Sequence, residues 1–172
     1  MTKLPENSVI LDLYKAGLSD AEIGDMYGAT SAAVNYRLNL LGIERKPQSN
    51  LATAILEAAW PSAETVRTKF TNRTKARRLF AFMRWRLGDE TLTAQQLDAA
   101  QRFMAYIVQY EVVLDLDGTQ EGNPWVWLPR LPEDGRLVIR WPADREMPKG
   151  PHLEAISLPA PGSNGDGPGA SR

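Results

Sequence analysis

Eight basic side chains fall between residues 65 and 88, and no acidic residue lies among them: Arg67, Lys69, Arg73, Lys75, Arg77, Arg78, Arg84 and Arg86. Cations gathered in this way neutralise a polyanion and draw affinity from the counterions it releases. Residues 89–123 then carry seven acidic residues and only Arg102 in return, so the whole chain has a formal net charge of -1. Solvated helix faces usually mix signs, and segregation on this scale marks a polyanion-binding surface. A second candidate set is Ala32, Asn35, Tyr36 and Asn39. At about 100° per residue these four share one helix face, opposite Val34, Leu38 and Leu41. In a major groove an asparagine amide matches the N6/N7 edge of adenine, and a small apolar side chain such as Ala32 fits a thymine methyl. Thr30 and Ser31 stand at the start of that helix, where donors meet phosphate, and Arg37 lies on its flank.

These residues need elements to hold them. Residues 1–43 read as three short helices. Ser8 is placed to cap the first, whose apolar positions are Val9, Ile10, Leu13 and Tyr14 and which Gly17 ends. Ser19-Asp20-Ala21-Glu22 is a capping box opening the second. Thr30 caps the third, which stops at Gly42. Residues 19–41 have the spacing of a helix-turn-helix, with small Gly24 at the helix crossing and Gly28 in the turn. Ile23, Tyr27, Ala29, Val34 and Leu38 are its locking apolar set.

Residues 44–49, polar and containing Pro47, read as a linker. A helix is expected from Asn50 to Ala59, a short one from Ser62 to Lys69, and a longer one capped by Thr71 and running to Leu87. Thr71, Asn72 and Arg73 would then present backbone donors at its start. Thr93 caps a further helix to about Tyr110, with Leu97, Ala100, Phe103 (or Met104) and Ile107 inward. The period then changes, and 112–116, 125–128 and 137–141 read as strands of a small antiparallel sheet. The predicted fold is therefore mainly α with a small antiparallel β-sheet. It comprises a helix-turn-helix domain over 1–43, a linker, an α+β domain over 50–158 and a disordered tail over 159–172. The α+β domain is expected to be a second DNA-binding unit supplying most phosphate contacts, through Arg67, Lys69, Thr71, Asn72, Arg73, Lys75, Arg77 and Arg78.

Composition narrows the function classes. The chain has 172 residues, no cysteine and a single histidine, His152. This excludes disulfide scaffolds, iron–sulfur clusters, thiol nucleophiles and His-rich metal sites. No cofactor and no metal are expected. No apolar run reaches membrane-spanning length and no signal-peptide core begins the chain, so a reducing cytoplasm, without a membrane partner, is expected. Asp115 and Asp117, with Glu121, are conceivable Mg²⁺ ligands of a nuclease. Acids beside Gly118 at a strand end more commonly make turns, so no catalysis is expected.

The run Leu18-Ser19-Asp20-Ala21-Glu22-Ile23-Gly24-Asp25-Met26-Tyr27-Gly28-Ala29-Thr30, followed by Ala33-Val34, resembles the N-terminal part of mycobacteriophage immunity repressors of the stoperator-binding type. Trp60-Pro61, the Lys75–Leu79 stretch, 113–117 and 137–140 are similar to the same family in the same order. The resemblance spans residues 9 to about 142. It implies a lysogeny repressor that binds short asymmetric duplex sites as a monomer, in a bacterial host. The departure is Ser31-Ala32, where longer polar residues are usual. The runner-up is another phage DNA-binding role, such as a terminase small subunit assembled as a ring.

Overall fold

The computed structural model describes residues 4–43 and 46–162. Seven α-helices and one two-stranded antiparallel sheet occur among them, so the chain is mainly helical. It divides into two compact units, Met1–Pro47 and Gln48–Arg172.

The first unit contains α1 (Asn7–Lys15), α2 (Asp20–Tyr27) and α3 (Ser31–Leu40). Each start follows local chemistry. The Ser19 hydroxyl accepts from the Glu22 backbone N–H while the Glu22 carboxylate accepts from that of Ser19, closing the capping box. Those bonds hold Glu22 below the usual carboxylate range. Thr30 Oγ1 accepts from Ala33 N at 3.2 Å and starts α3. Ser8 does not cap α1; it lies inside the helix, whose N-cap Glu6 makes no side-chain bond. The core is Ile10, Ile23, Val34 and Leu38, one or two side chains from each helix, all fully buried. Leu18, Tyr27 and Ile43 pack around it.

The second unit contains α4 (Pro47–Ala59), a 3₁₀ turn (Arg67–Phe70), α5 (Thr74–Arg86), α6 (Ala94–Tyr110), β1 (Val112–Leu116), β2 (Trp125–Pro129) and the short α7 (Pro151–Ala155). Helix α4 starts at Pro47, three residues before the expected Asn50, because proline is tolerated at a helix start where its missing N–H has no partner to lose. The expected linker thus shrinks to residues before Pro47, of which 44 and 45 lie outside the described residues. Most of the expected tail, from residue 163, also lies outside them.

Two further helix starts differ from the sequence reading. Ser62 does not open a helix; its N–H and hydroxyl both donate to the Glu57 carboxylate at 2.8 Å, and only the 3₁₀ turn follows. Thr71 does not cap α5, whose N-cap is Arg73. Thr93 does cap α6, in a capping box with Gln96.

The core of this unit gathers Leu79, Phe82 and Met83 of α5 and Ala100, Phe103 and Ile107 of α6 against Leu114, Trp125 and Ile139. Trp60, which ends α4, meets Trp125 edge to face at 5.4 Å. The third expected strand is absent. Residues 137–141 instead form isolated bridges, Leu114 with Ile139 in parallel and Leu137 with Ser157 antiparallel. Leu137, Val138 and Ile139 are all buried. Such a continuous apolar run suits a threaded core segment better than a half-exposed alternating strand.

Candidate nucleic-acid interface

Helices α2 and α3 meet at a close backbone approach. A Cβ built on Gly24 would lie 2.6 Å from the Ala29 carbonyl oxygen. Gly28 adopts φ 62°, the left-handed conformation that lets the chain reverse there. Ala29 N donates to Gly24 O at 2.9 Å, which fastens the turn to the crossing point. Val34 and Leu38 face the core. The opposite face of α3 has no packing duty: Ala32 and Asn39 are exposed and Tyr36 is 65% exposed.

Asn35 is half-buried, and both ends of its amide are engaged. Its Nδ2 donates to Asp20 at 3.3 Å, and its Oδ1 accepts from Asn39 Nδ2 at 2.9 Å. Thr30 and Ser31 are exposed at the head of the helix. Arg37 Nη1 donates to Asn7 Oδ1 at 2.9 Å, which ties α3 to α1 without neutralising the guanidinium.

In the second unit the structure sorts the basic run. Arg67 is 4% exposed: its Nε donates to Trp60 O at 2.9 Å and its Nη2 to Glu57. Bonds from Ser62, joined by Arg67, hold Glu57 below the ordinary carboxylate range. Arg67 is therefore a structural cation that satisfies the carbonyl at the end of α4, and its expected phosphate contact is withdrawn. Lys75 is corrected in the same way, since its Nζ donates to Trp125 O at 2.8 Å and lies over the Trp127 ring. Arg84 pairs with Asp89 at 2.6 Å and Arg86 with Glu154 at 3.1 Å. Burial raises the Asp89 pKa, but bonds from Thr91 and Arg84 outweigh it and leave the group below its usual value.

Lys69, Arg73, Arg77 and Arg78 remain. Among the described residues none of them has a carboxylate or carbonyl partner on its side chain; Arg73 lies over the Phe70 ring instead. Every other described basic residue of this unit is held by an acid or a carbonyl, including Arg130 on Gly135 O and Arg140 on Asp134. The four unpaired cations cluster around the start of α5, beside exposed Thr71 and Asn72. Arg77 and Arg78 also line a groove of about 800 Å³ between α4, α5 and α6. Thr74 and Arg102 line it too. The sequence reading missed them, although the four-residue spacing from Thr74 to Arg78 put the two on one helix face.

The carboxylates considered as metal ligands are engaged locally. Asp117 accepts from the Thr119 N–H and hydroxyl and from Gln120, bonds that lower its pKa, and so closes its own turn. Asp115 accepts from Leu116 N at 2.8 Å, and burial pushes its carboxyl above the ordinary value. Among the described residues no group of three or more His, Cys, Asp or Glu side chains is arranged to hold a metal ion. Nor is any described helix long and apolar enough to cross a membrane.

No family model and no curated protein matches the chain.

Proposed function

We propose that this chain is a sequence-specific double-stranded DNA-binding transcriptional repressor. It binds short asymmetric sites as a monomer, through a helix-turn-helix in the first unit and a phosphate-gripping surface in the second. The observation that carries the reading is the cluster of unpaired cations Lys69, Arg73, Arg77 and Arg78, in a unit whose other described basic side chains are all neutralised or bonded. Leaving four like charges together without partners costs stability, and a polyanion offsets that cost on binding. The tight α2–α3 crossing and the idle outer face of α3 support base reading by Ala32, Tyr36 and Asn39. The sequence resemblance to mycobacteriophage immunity repressors supports a role in lysogeny and superinfection immunity. Two unlike DNA-binding units on one chain read an asymmetric site, whereas a symmetric dimer would need an inverted repeat.

The test is selection of bound duplexes from a randomised pool by the full chain, followed by stoichiometry and salt dependence on the enriched site. One chain per asymmetric site is expected. Arg77→Gln with Arg78→Gln should reduce the slope of log K against log salt by about 1.8, at roughly 0.9 per lost phosphate contact. A pool that enriches nothing, two copies across an inverted repeat, a ring in free solution, or an unchanged slope would each refute the corresponding part of the proposal.

A further inference from the structure

The polar chain on α3 divides labour between its two asparagines. We infer that Asn39 reads adenine and that Asn35, held by Asp20, is a positioning residue that fixes which way the Asn39 amide faces. The inference rests on the DNA-binding reading above and assigns it a base.

The argument runs outward from Asp20. An ionised carboxylate can only accept, so the Asn35 edge turned to Asp20 must be its NH₂. The planar amide then turns its carbonyl oxygen the other way, toward the next turn of α3. Only a donor can meet that oxygen, so Asn39 must present its own NH₂ there, at 2.9 Å. Three residues thus fix two amide orientations without ambiguity. Asn39 keeps its second N–H and its Oδ1 unpartnered among the described residues, on an exposed side chain. One donor beside one acceptor is the complement of adenine N7 and N6–H₂. Guanine shows two acceptors, N7 and O6, and would set O6 against the Asn39 oxygen. An unrestrained asparagine could turn its NH₂ toward guanine; the bond to Asn35 prevents it. Asp20 therefore shapes base choice without touching a base.

The experiment uses the full chain on the enriched duplex and on copies in which each A·T pair is replaced by G·C. For the wild type, one A·T position should lose affinity by about 5- to 140-fold on replacement, the range of one bidentate contact. Asn39→Ala should erase discrimination at that position alone. Asn35→Ala and Asp20→Ala should keep the same preferred base but discriminate less at that same position. Asp20→Asn, whose amide can donate as well as accept and so no longer fixes the Asn35 orientation, should restore it only in part. The ratio between two duplexes is insensitive to a partly unfolded sample, so lost stability cannot imitate the result. Discrimination that survives Asn39→Ala at every A·T pair overturns the inference. So does Asn35→Ala acting at a different base pair, or Asp20→Ala leaving the ratio untouched. Each of those results leaves the DNA-binding reading standing, whereas a pool with no enriched sequence removes both.

Discussion

Replacing Gly24 by alanine tests whether the α2–α3 crossing is as close as the structure shows. The added Cβ would stand 2.6 Å from Ala29 O, 3.3 Å from Thr30 C and 3.4 Å from Ala29 C. These are backbone atoms, so no side chain can rotate away. The turn must retreat by roughly half an ångström, against the 2.9 Å bond from Ala29 N to Gly24 O that clamps it. Overpacking of this kind costs about 1–3 kcal/mol, and stretching the bond adds about 1 kcal/mol. Alanine returns about 1 kcal/mol through its better helix propensity. The net loss expected for the first unit is thus about 1–3 kcal/mol, a fall of about 5- to 140-fold in amide protection across α2 and α3. Hydrogen exchange reads this directly. All five tryptophans lie in the second unit, so fluorescence-monitored unfolding serves as an internal control and should not move. Gly118→Ala, with no heavy atom within 4 Å of its Cβ, should leave both readouts unchanged. Unchanged or increased protection in Gly24→Ala would refute the reasoning, because helix propensity would then outweigh a contact that yields easily.

Other substitutions separate structure from binding. Arg67→Ala should lower the stability of the second unit by about 1–3 kcal/mol in denaturant unfolding, because it empties a buried site and leaves the Trp60 carbonyl with only the 3.3 Å bond from Thr65 Oγ1. On DNA it should leave the salt slope unchanged, unlike the Arg77/Arg78 pair. Asp115→Asn should stabilise the protein at pH 7, since burial raises the native carboxyl pKa and ionised Asp115 opposes folding there. That gain should vanish below the unfolded-state value near 3.8, where both states are protonated; a gain persisting in acid would show a packing effect instead. Asp134 behaves oppositely. Burial raises its pKa, but Arg140, Leu131 N and Arg130 outweigh this and leave it depressed. Its contribution should be complete above the unfolded-state value and be lost as pH falls through the native one. Asp134→Asn should weaken the protein at pH 7 and flatten its acid unfolding curve.

The sequence by itself determined the elements whose signals are local. Ser19 with Glu22, Thr30 and Thr93 with Gln96 were readable as caps because a cap joins a residue to its own neighbours three positions on. The buried positions Val34, Leu38, Ala100 and Ile107 follow from helical period, which left Phe103 and Met104 as alternatives and put Leu97 inward although it is exposed; the change of period marked the strands over 112–116 and 125–128. Gly24 and Gly28 were recognisable from spacing. Tertiary structure decided what depends on partners distant in the chain. Eight cations look alike in a row; only folding brings Glu57 and the Trp60 carbonyl to Arg67, and β2 to Lys75, and so leaves four unpaired. The stretch 137–141, with its apolar run Leu137-Val138-Ile139, read as a strand because its alternatives differ only in neighbours, and the structure gives it β1 on one side and Ser157 on the other. Asn35 and Asn39 were interchangeable on a helical wheel. Asp20, fifteen residues earlier, set them apart, because a carboxylate accepts and cannot donate, and only the packing of α2 against α3 places it there.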